Sequence, residues 1–302
     1  VFAGTPSFLP GDGGANRLNL TEWLIDPENP LTSRVAVNRF WQMCFGEGLV
    51  RTPEDFGSQG QIPTHPELLD WLSGYFINSG WDIKGLFRLI LTSSAYKQSS
   101  NIPKQRLTED PENRFISRMS RTRLSAEMVR DQSLAVSGLL STKVGGPPVK
   151  PYEVTESFKP MGRDKGEGLY RRSVYTFWKR TGPAPVMMAL DASKRDVCRV
   201  KRERTSTPLQ ALVMLNDPQI NEASRVFGEK IYQKNNGQIR PTIIEMFSNL
   251  TSRIPTEKEL KVMEELYREQ RDEFLKDPES AKKYLAVGDS PHNKKIPQEN
   301  AA

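Results

Sequence analysis

Residues 29–50 read NPLTSRVAVNRFWQMCFGEGLV, and this stretch decides the fold of the N-terminal part of the chain. Its apolar residues recur at the i, i+3, i+4, i+7 spacing of one helix face, which predicts an amphipathic helix that ends at the glycines. Asn29 is the predicted cap of this helix. Arg34 and Asn38 lie one turn apart on the same helix, although such side chains rarely enter a core unpaired. The chain must therefore supply partners for them.

The composition describes a globular chain with an ordinary core. The sequence has 302 residues, of which 36% are hydrophobic, enough for one large or two ordinary domains. Its formal charge of +6 is mild for a dedicated nucleic-acid binder, and no nucleic-acid-binding motif accompanies it. No run approaches the roughly 20 apolar residues of a transmembrane helix. We expect no nucleic-acid partner and no membrane span in this fragment.

Few side chains are suited to hold a metal or a covalent cofactor. Cys44 and Cys198 lie far apart and outside any CxxC pair, and His65 and His292 are the only histidines. We predict no metal site and no cofactor in this chain. A disulfide between the two cysteines stays open at this stage.

Helix signals dominate residues 1–141. Thr64 and Glu67 have capping-box spacing, Asp82 is the expected cap of the next helix, and Ser125 precedes the amphipathic segment AEMVRDQSLAVSGLL. Residues 142–170 are rich in Gly, Pro and charge, which is typical of a long ordered loop or a mobile flap.

Residues 171–180, RRSVYTFWKR, alternate β-branched and aromatic side chains and predict a strand. The predicted fold class is therefore mainly α, a multi-helical module with a small β element near residues 150–180. We expect one module over residues 1–250, in which 171–235 supplies the strand, a basic segment and a helix. Residues 251–302 are expected to form a C-terminal helix and a truncated polar tail.

The helix expected after the basic segment carries the sequence LQALVML. Thr207 or Ser206 is its predicted cap. Leu209, Leu212 and Val213 are expected to point into the core.

Four stretches together resemble a known family. They are NPLTSRVAVNRFWQMCFGEGLVRTPEDFG, PTHPELLDWLSGYFINSGWDIKGLFRLILTSSAYKQSS, RLSAEMVRDQSLAVSGLL and RRSVYTFWKRTGPAPVMMALDASKRDVCRVKRERTSTPLQALVMLNDPQ. In this order they resemble the planctomycete-type C-terminal domain of unknown function, numbered 1553 among such families. The chain departs from the pattern at Ser193 and Ser206, where proline and asparagine are expected.

The resemblance implies a context and no activity. Members of the family are typically C-terminal parts of large secreted or surface proteins that also carry cytochrome c-like domains. It implies an extracytoplasmic location, a link to polysaccharide utilisation, and haem only in upstream domains of the parent protein. It also makes those upstream domains candidate partners, and it makes this chain an internal fragment of a longer product.

A buried polar network is the first candidate site. Glu127 and Asp131 stack at i, i+4 and repel each other unless a cation such as Arg130 lies between them. We expect Arg34 and Asn38 to meet such carboxylates, so that the network joins the first helical half to the helix that begins in RTSTPLQAL. The complete set of candidate residues is Arg34, Asn38, Glu127, Arg130, Asp131, Asp191, Arg202 and Arg204.

A basic segment and a neighbouring tryptophan form the second candidate site. Six basic residues lie between Lys194 and Arg204, and they are suited to bind anionic groups. Trp178, Lys179 and Arg180 could contact a glycan, although a tryptophan at strand spacing is more often a core residue. CRVKRERT at 198–205 satisfies the spelling of a cysteine-phosphatase loop, yet it has no glycine, so a charged turn is the better interpretation.

Three classes of function remain open from the sequence. The preferred one is a non-catalytic module that binds a surface glycan or a partner protein. The second is an enzyme that acts on anionic, sulfated polysaccharide or its esters, which would need a pocket where Glu127, Asp131 or Cys198 meets arginines. The third is a scaffold for the neighbouring cytochrome c-like domains.

Overall fold

The structure is a computed structural model that describes residues 16–152, 162–179 and 183–301. The chain divides into two compact units, Val1–Thr122 and Arg123–Ala302. Thirteen α-helices and two short 3-10 helices occupy the described residues, so the predicted mainly α fold is confirmed. None of the helices in this described part is both long enough and apolar enough to cross a bilayer.

The first unit contains five helices. They are α1 (Arg17–Ile25), α2 (Thr32–Phe45), α3 (Pro66–Asn78), α4 (Ile83–Thr92) and α5 (Lys104–Glu109). Asp82 caps α4 as predicted, since its carboxylate accepts the N–H of Gly85 at 3.0 Å. The predicted capping box of α3 is wrong, because the Thr64 hydroxyl turns to the carbonyl of Leu49 instead.

The core of the first unit forms where α2 packs on α3 and α4. Val37, Trp41 and Phe45 of α2 are buried, and the rings of Trp41 and Phe45 stack with their centroids 4.2 Å apart. Leu86 and Ile90 of α4 are buried in the same cluster, as their spacing predicts. The apolar face of the opening stretch therefore does build the core.

Asn38 is fully buried in this core and bonds to a single residue. Its amide nitrogen donates to the carbonyl of Val50 at 2.9 Å, and its oxygen accepts the N–H of Val50 at 2.8 Å. A Cβ at Gly48 would lie 2.7 Å from both of these amide atoms, so only glycine fits there. Asn38 thus satisfies the backbone of the chain that returns after α2.

The predicted partners of Arg34 and Asn38 are wrong. Arg34 pairs with Asp70 of α3 at 2.7 Å and also donates to the carbonyl of Pro30. Since Asn38 bonds to Val50, both side chains form their hydrogen bonds inside the first unit.

The second unit is built around the packing of α6 on α9. Its α-helices are α6 (Ala126–Ser137), α7 (Pro185–Ala189), α8 (Pro208–Asn216), α9 (Pro218–Lys234), α10 (Ile239–Thr251), α11 (Glu257–Lys276), α12 (Pro278–Leu285) and α13 (Gln298–Ala301). Ser125 caps α6 as predicted by accepting the N–H of Met128. Thr207 caps α8 through a capping box with Gln210.

The predicted strand at 171–180 is wrong for the residues that the structure describes. Gly166–Tyr170 and Ser173–Tyr175 are 3-10 helices, and only isolated bridges join Ser141 to Arg171 and Val149 to Thr176. The physical reason is that backbone bonds from Ser141 and Val149 reach this segment at two separate places, while side chains of α6 bind the carbonyl of Arg171 and the N–H of Ser173 between them. Of the predicted flap at 142–170, residues 153–161 lie outside the described residues.

The C-terminal segment is folded, although a polar tail was expected there. Ala281 and Leu285 of α12 are buried. The buried carboxylate of Glu222, on α9, accepts hydrogen bonds from the Tyr170 hydroxyl and from the N–H groups of Asp289 and Ser290. Gly288 has a φ of 86°, and a Cβ there would lie 2.3 Å from the Glu222 carboxyl carbon. Glu222 therefore holds residues 288–290 against α9.

Replacing Asn38 tests its role in the first unit. We expect Asn38→Ala to lower the free energy of unfolding by about 2–4 kcal/mol, because it leaves the buried N–H and carbonyl of Val50 unpaired. Urea unfolding measures the loss. Asn78→Ala, at an exposed position, is the control and should change stability by less than about 0.5 kcal/mol. Equal effects of the two variants would contradict the assignment.

Candidate functional site

Six of the predicted network residues belong to the second unit. Glu127, Arg130 and Asp131 lie on α6, Asp191 follows α7, and Arg202 and Arg204 lie in the loop before α8. They do not form one network. Arg130 and Asp131 form a buried anchor, Asp191 forms a clasp, Glu127 pairs with Arg202, and Arg204 lies on the surface.

The anchor is the guanidinium of Arg130, which is 3% exposed. Its Nε donates to the side-chain oxygen of Gln219 at 2.6 Å, and its two terminal nitrogens donate to the carbonyls of Arg171 and Leu169 at 2.8 Å each. Tyr152 lies beside it, with the guanidinium 6.0 Å from the ring centroid. The fork geometry of arginine thus satisfies two backbone carbonyls of a segment that has only isolated bridges to its neighbours.

Asp131 completes the anchor from the next position of α6. Its carboxylate accepts the hydroxyl of Ser173 at 2.6 Å and the backbone N–H of Ser173 at 2.8 Å. Arg130 is 3.4 Å from the same carboxylate oxygen. The charge of Arg130 is therefore neutralised locally, and both residues are engaged in holding residues 169–173 on α6.

The clasp is formed by Asp191, Thr205, Gln210 and Arg123. The Asp191 carboxylate accepts the N–H of Thr205 at 2.7 Å, the Thr205 hydroxyl at 2.9 Å and the Gln210 amide at 3.2 Å. Arg123 pairs with the same carboxylate and donates to the carbonyl of Thr205 at 2.9 Å. These bonds tie both ends of the loop 192–204 to the first turn of α8.

The carboxylates of Asp191 and Glu127 are held in the ionised form. Burial opposes ionisation of Asp191, but the hydrogen bonds from Thr205 and the charge of Arg123 outweigh it and lower its pKa. Burial likewise opposes ionisation of Glu127, and bonds from its own backbone amide and from Arg202 hold its pKa below the usual value. Neither group has the raised pKa of a general acid.

The basic loop, residues 194–204, lies on the surface and carries six cations against two carboxylates. Arg202 pairs with Glu127 at 2.9 Å. Arg199 and Arg204 are exposed, and their side chains have no partner among the described residues. Two guanidinium groups of this loop are therefore available to an anionic ligand.

Cys198, the only cysteine of the basic loop, is exposed. Both Cys198 and Cys44 are free thiols. Residues 198–207 form no helix, and α8 begins only at Pro208. The phosphatase interpretation therefore gains no support from this geometry. Thr205 does not lie in the first turn of a helix, where backbone N–H groups could bind a phosphate.

Trp178 is half-buried and covered on its accessible side. One part of the ring packs on the core cluster of Ala126 and Met187, and the guanidinium of Arg195 lies 4.9 Å from the ring centroid. The indole N–H donates to the carbonyl of Lys194 at 2.9 Å. Lys179 is half-buried. Arg180, the third predicted glycan contact, lies outside the described residues.

The prediction that Leu209 and Leu212 of α8 point inward is wrong, whereas Val213 of the same helix is half-buried. Leu209, Leu212 and Leu215 are 57%, 56% and 73% exposed. The buried side chain of this helix is Gln210, which the clasp draws inward. The helix therefore presents an apolar face to the surface directly beside the basic loop.

Several residues of the site escaped the sequence analysis. Ser173 of the anchor and Thr205 and Gln210 of the clasp have ordinary side chains in ordinary contexts. A usable signal was the capping-box spacing of Thr207 and Gln210, which marks Gln210 as a residue of the first helical turn. Among the described residues, no three or more His, Cys, Asp or Glu side chains are grouped so that they could hold a metal ion.

Comparison with known proteins places the chain in a family. The family described as "PSD1: Protein of unknown function (DUF1553)" matches residues 16–267. The chain belongs to this family. The predicted family assignment is thereby confirmed, and the matched residues include the anchor and the clasp. No curated protein and no solved structure matches the chain.

Replacing Arg130 with lysine tests the anchor. One ammonium group cannot reproduce the fork to Leu169, Arg171 and Gln219, so we expect Arg130→Lys to cost about 3 kcal/mol of unfolding free energy. Urea denaturation checks this value. Arg172→Lys is the matched control, because Arg172 is exposed and directly follows Arg171, whose carbonyl Arg130 binds. An Arg130→Lys protein as stable as this control would rule out the anchor.

The clasp predicts a pH dependence with a definite sign. Because the folded-state pKa of Asp191 is lowered, its stabilisation is fully present above the unfolded pKa of about 3.9 and disappears as the pH falls through the folded value. We expect Asp191→Asn to cost about 1–2 kcal/mol at pH 7 and progressively less below about pH 4. Urea midpoints at both pH values measure the difference. Asp272→Asn, on the exposed face of α11, is the control, and a cost of Asp191→Asn independent of pH would disprove the clasp.

Proposed function

We propose that the second unit is a non-catalytic binding module that docks a protein partner with an acidic surface. The binding surface comprises the basic loop and the exposed face of α8. The observation that carries the proposal is the exposure of Arg199 and Arg204, which have no partner in the part of the chain that the structure describes. They lie on a loop that leads into α8 with its three exposed leucines and whose ends are fixed by the clasp.

The clasp favours binding because it removes part of the entropic cost. A loop that is ordered before binding loses less conformational freedom when a partner docks. Asp191 holds the backbone of Thr205 and, through Gln210, the start of α8. The charged and apolar parts of the surface are therefore kept together in the free protein.

The chemistry of the surface favours a protein over a glycan. Exposed leucines surrounded by charge are typical of protein interfaces, whereas a sugar site usually offers an open aromatic ring. Arg195 covers the accessible side of Trp178. A sugar that stacks on Trp178 would have to displace this guanidinium first.

The state of the carboxylates favours binding over catalysis. Glu127, Asp131 and Asp191 each accept hydrogen bonds from neighbouring residues, and the lowered pKa values of Glu127 and Asp191 are opposite to what a general acid needs. An enzyme that acts on sulfated polysaccharide or its esters is the competing proposal. It predicts turnover, which the binding proposal does not.

The first partner to test is the upstream part of the parent protein. The resemblance to the family implies cytochrome c-like domains there and an extracytoplasmic setting. A scaffold role of this kind would need only the acidic protein surface proposed here. Isothermal titration calorimetry of the chain with these domains, at low and high salt, measures it directly.

Charge reversal at the unpaired arginines is the decisive variant. We expect Arg199→Glu with Arg204→Glu to weaken binding of the upstream domains at least about tenfold, since like charges then face each other. Leu212→Ser should weaken it about fivefold through lost apolar burial. The matched controls are Lys258→Glu with Lys294→Glu for charge, and Ile254→Ser, 74% exposed, for the leucine.

Heparin serves as the second probe in the same titrations. Binding of the upstream domains that responds only to the site variants supports the protein-docking proposal. Saturable binding of heparin without binding of the domains would replace it with a glycan site. Equal loss in site and control variants would show a general charge effect and would overturn the proposal.

A further inference from the structure

The exposed face of α3, in the first unit, carries a single apolar side chain. Trp71 is 57% exposed, and the other exposed residues of this fully described helix are Glu67, Asp70 and Asn78. One ring among polar groups is too small for the core of a protein interface, which needs several apolar side chains together. It matches a sugar, which has apolar C–H groups on its faces and hydroxyl groups around its rim.

The indole of Trp71 is held in place by a stacked neighbour. The rings of Trp71 and Tyr75 are nearly parallel, at 21°, with their centroids 5.9 Å apart. Tyr75 is half-buried and packs against the core of the first unit. Since Trp71 is more than half exposed, at least one face of its flat ring is open. The ring is positioned before binding, so little side-chain freedom is lost when a ligand stacks on it.

A notch lies beside this ring on the surface of α3. Gly74 follows Asp70 by four residues and Trp71 by three, so it is a neighbour of both on the helix surface. Glu67 is a neighbour of the same two residues from the preceding turn. A Cβ at Gly74 would meet no atom within 4 Å. The missing side chain of Gly74 therefore leaves open space between positions 70 and 71.

An acceptor and a donor are available on the ion pair that includes Asp70. One carboxylate oxygen of Asp70 accepts Nε of Arg34 at 2.7 Å, and the other, Oδ2, accepts no hydrogen bond from the described residues. Nη1 of Arg34 donates to the carbonyl of Pro30, whereas Nη2 has no partner in the described part of the chain and is not buried. Adjacent hydroxyl groups, which both donate and accept, suit such a pair.

We propose that this face of α3 binds a neutral glycan, with one pyranose ring stacked on Trp71 and its hydroxyl groups bonded to Asp70 and Arg34. The negative face of an aromatic ring attracts the slightly positive C–H groups of a sugar. The site goes beyond the proposed docking function, because it belongs to the first unit and contains no residue of the basic loop or α8.

The charges of this face favour an uncharged ligand. Arg34 neutralises Asp70, whereas Glu67 has no partner among the described residues, so the face carries a net negative charge. A sulfated or uronic acid-containing glycan would be repelled. A cation such as choline is typically bound by several rings that enclose it, whereas Tyr75 is stacked on Trp71 and does not face it across a cage.

Gly74 provides a variant that closes the notch without removing a contact. A helical side chain leans toward the N-terminal turn, so the new side chain of Gly74→Gln should project between positions 70 and 71. Gly74→Ala leaves most of the notch open. Both variants replace a helix-interior glycine where a Cβ meets open space, so both should keep or raise the thermal stability.

The probes are cellohexaose, mannohexaose and xylohexaose, titrated into the full chain at pH 7. Indole N–H signals in ¹⁵N NMR spectra locate the binding, and the Trp71 signal is identified by its loss in Trp71→Phe. We expect at least one probe to shift this signal saturably.

Isothermal titration calorimetry of the probe that binds then compares the variants. We expect Trp71→Ala and Gly74→Gln each to weaken binding at least about tenfold, and Gly74→Ala to leave it within about threefold. Phe115→Ala, at another exposed aromatic residue of the first unit, is the matched control and should bind as the wild-type chain does.

Three results would overturn the proposal. Undiminished binding by the Trp71→Ala protein would place the sugar elsewhere. Choline chloride that shifts the Trp71 signal at a lower concentration than any of the sugars would make the face a cation site. No saturable shift with any of the three sugars up to about 10 mM would refute the glycan site. It would leave the docking proposal, which is tested at Arg199 and Arg204, unaffected.

Discussion

Arg130 donates hydrogen bonds to the carbonyls of Leu169 and Arg171, and it thereby pairs backbone groups that a sheet would otherwise pair. The rest of the second unit depends on this binding of backbone carbonyls by an arginine side chain. It holds an irregular segment with two 3-10 helices on α6. It also fixes Ser173 where Asp131 can bind it. Side chains of α6 therefore bind backbone groups that a neighbouring strand would bind in a sheet.

Hydrogen bonds from a single polar side chain to the backbone of a loop also occur elsewhere in the chain. Asn38 satisfies both backbone groups of Val50 in the first unit, and Asp191 satisfies the N–H of Thr205 in the second. In each case one polar side chain organises a loop by binding its backbone. The consequence is that most polar side chains singled out as candidate catalytic groups are occupied. The groups left available, Arg199 and Arg204, are suited to binding.

The helices could be predicted because their signals are local. The apolar spacing of α2 and the caps Asp82, Ser125 and Thr207 depend on neighbours within a few residues. The partners of Arg130 and Asn38 could not be predicted, because backbone carbonyls occur at every residue and leave no mark in the sequence. The sequence of α8, LQALVML, is apolar nearly all round, so its periodicity could not reveal which face is exposed.

The hydrogen bonds of Glu222 show that the C-terminal segment is part of the folded second unit, although the family match does not include this segment. The family match ends at residue 267, whereas Glu222 takes hydrogen bonds from Asp289 and Ser290. A chain cut at the end of the match would leave a buried carboxylate with only the Tyr170 hydroxyl as donor. The cooperative folding unit thus extends past the end of the family match. The end of the match marks where the sequences of the family stop being similar, whereas the end of the folding unit marks where residues stop contributing to the stability of the unit.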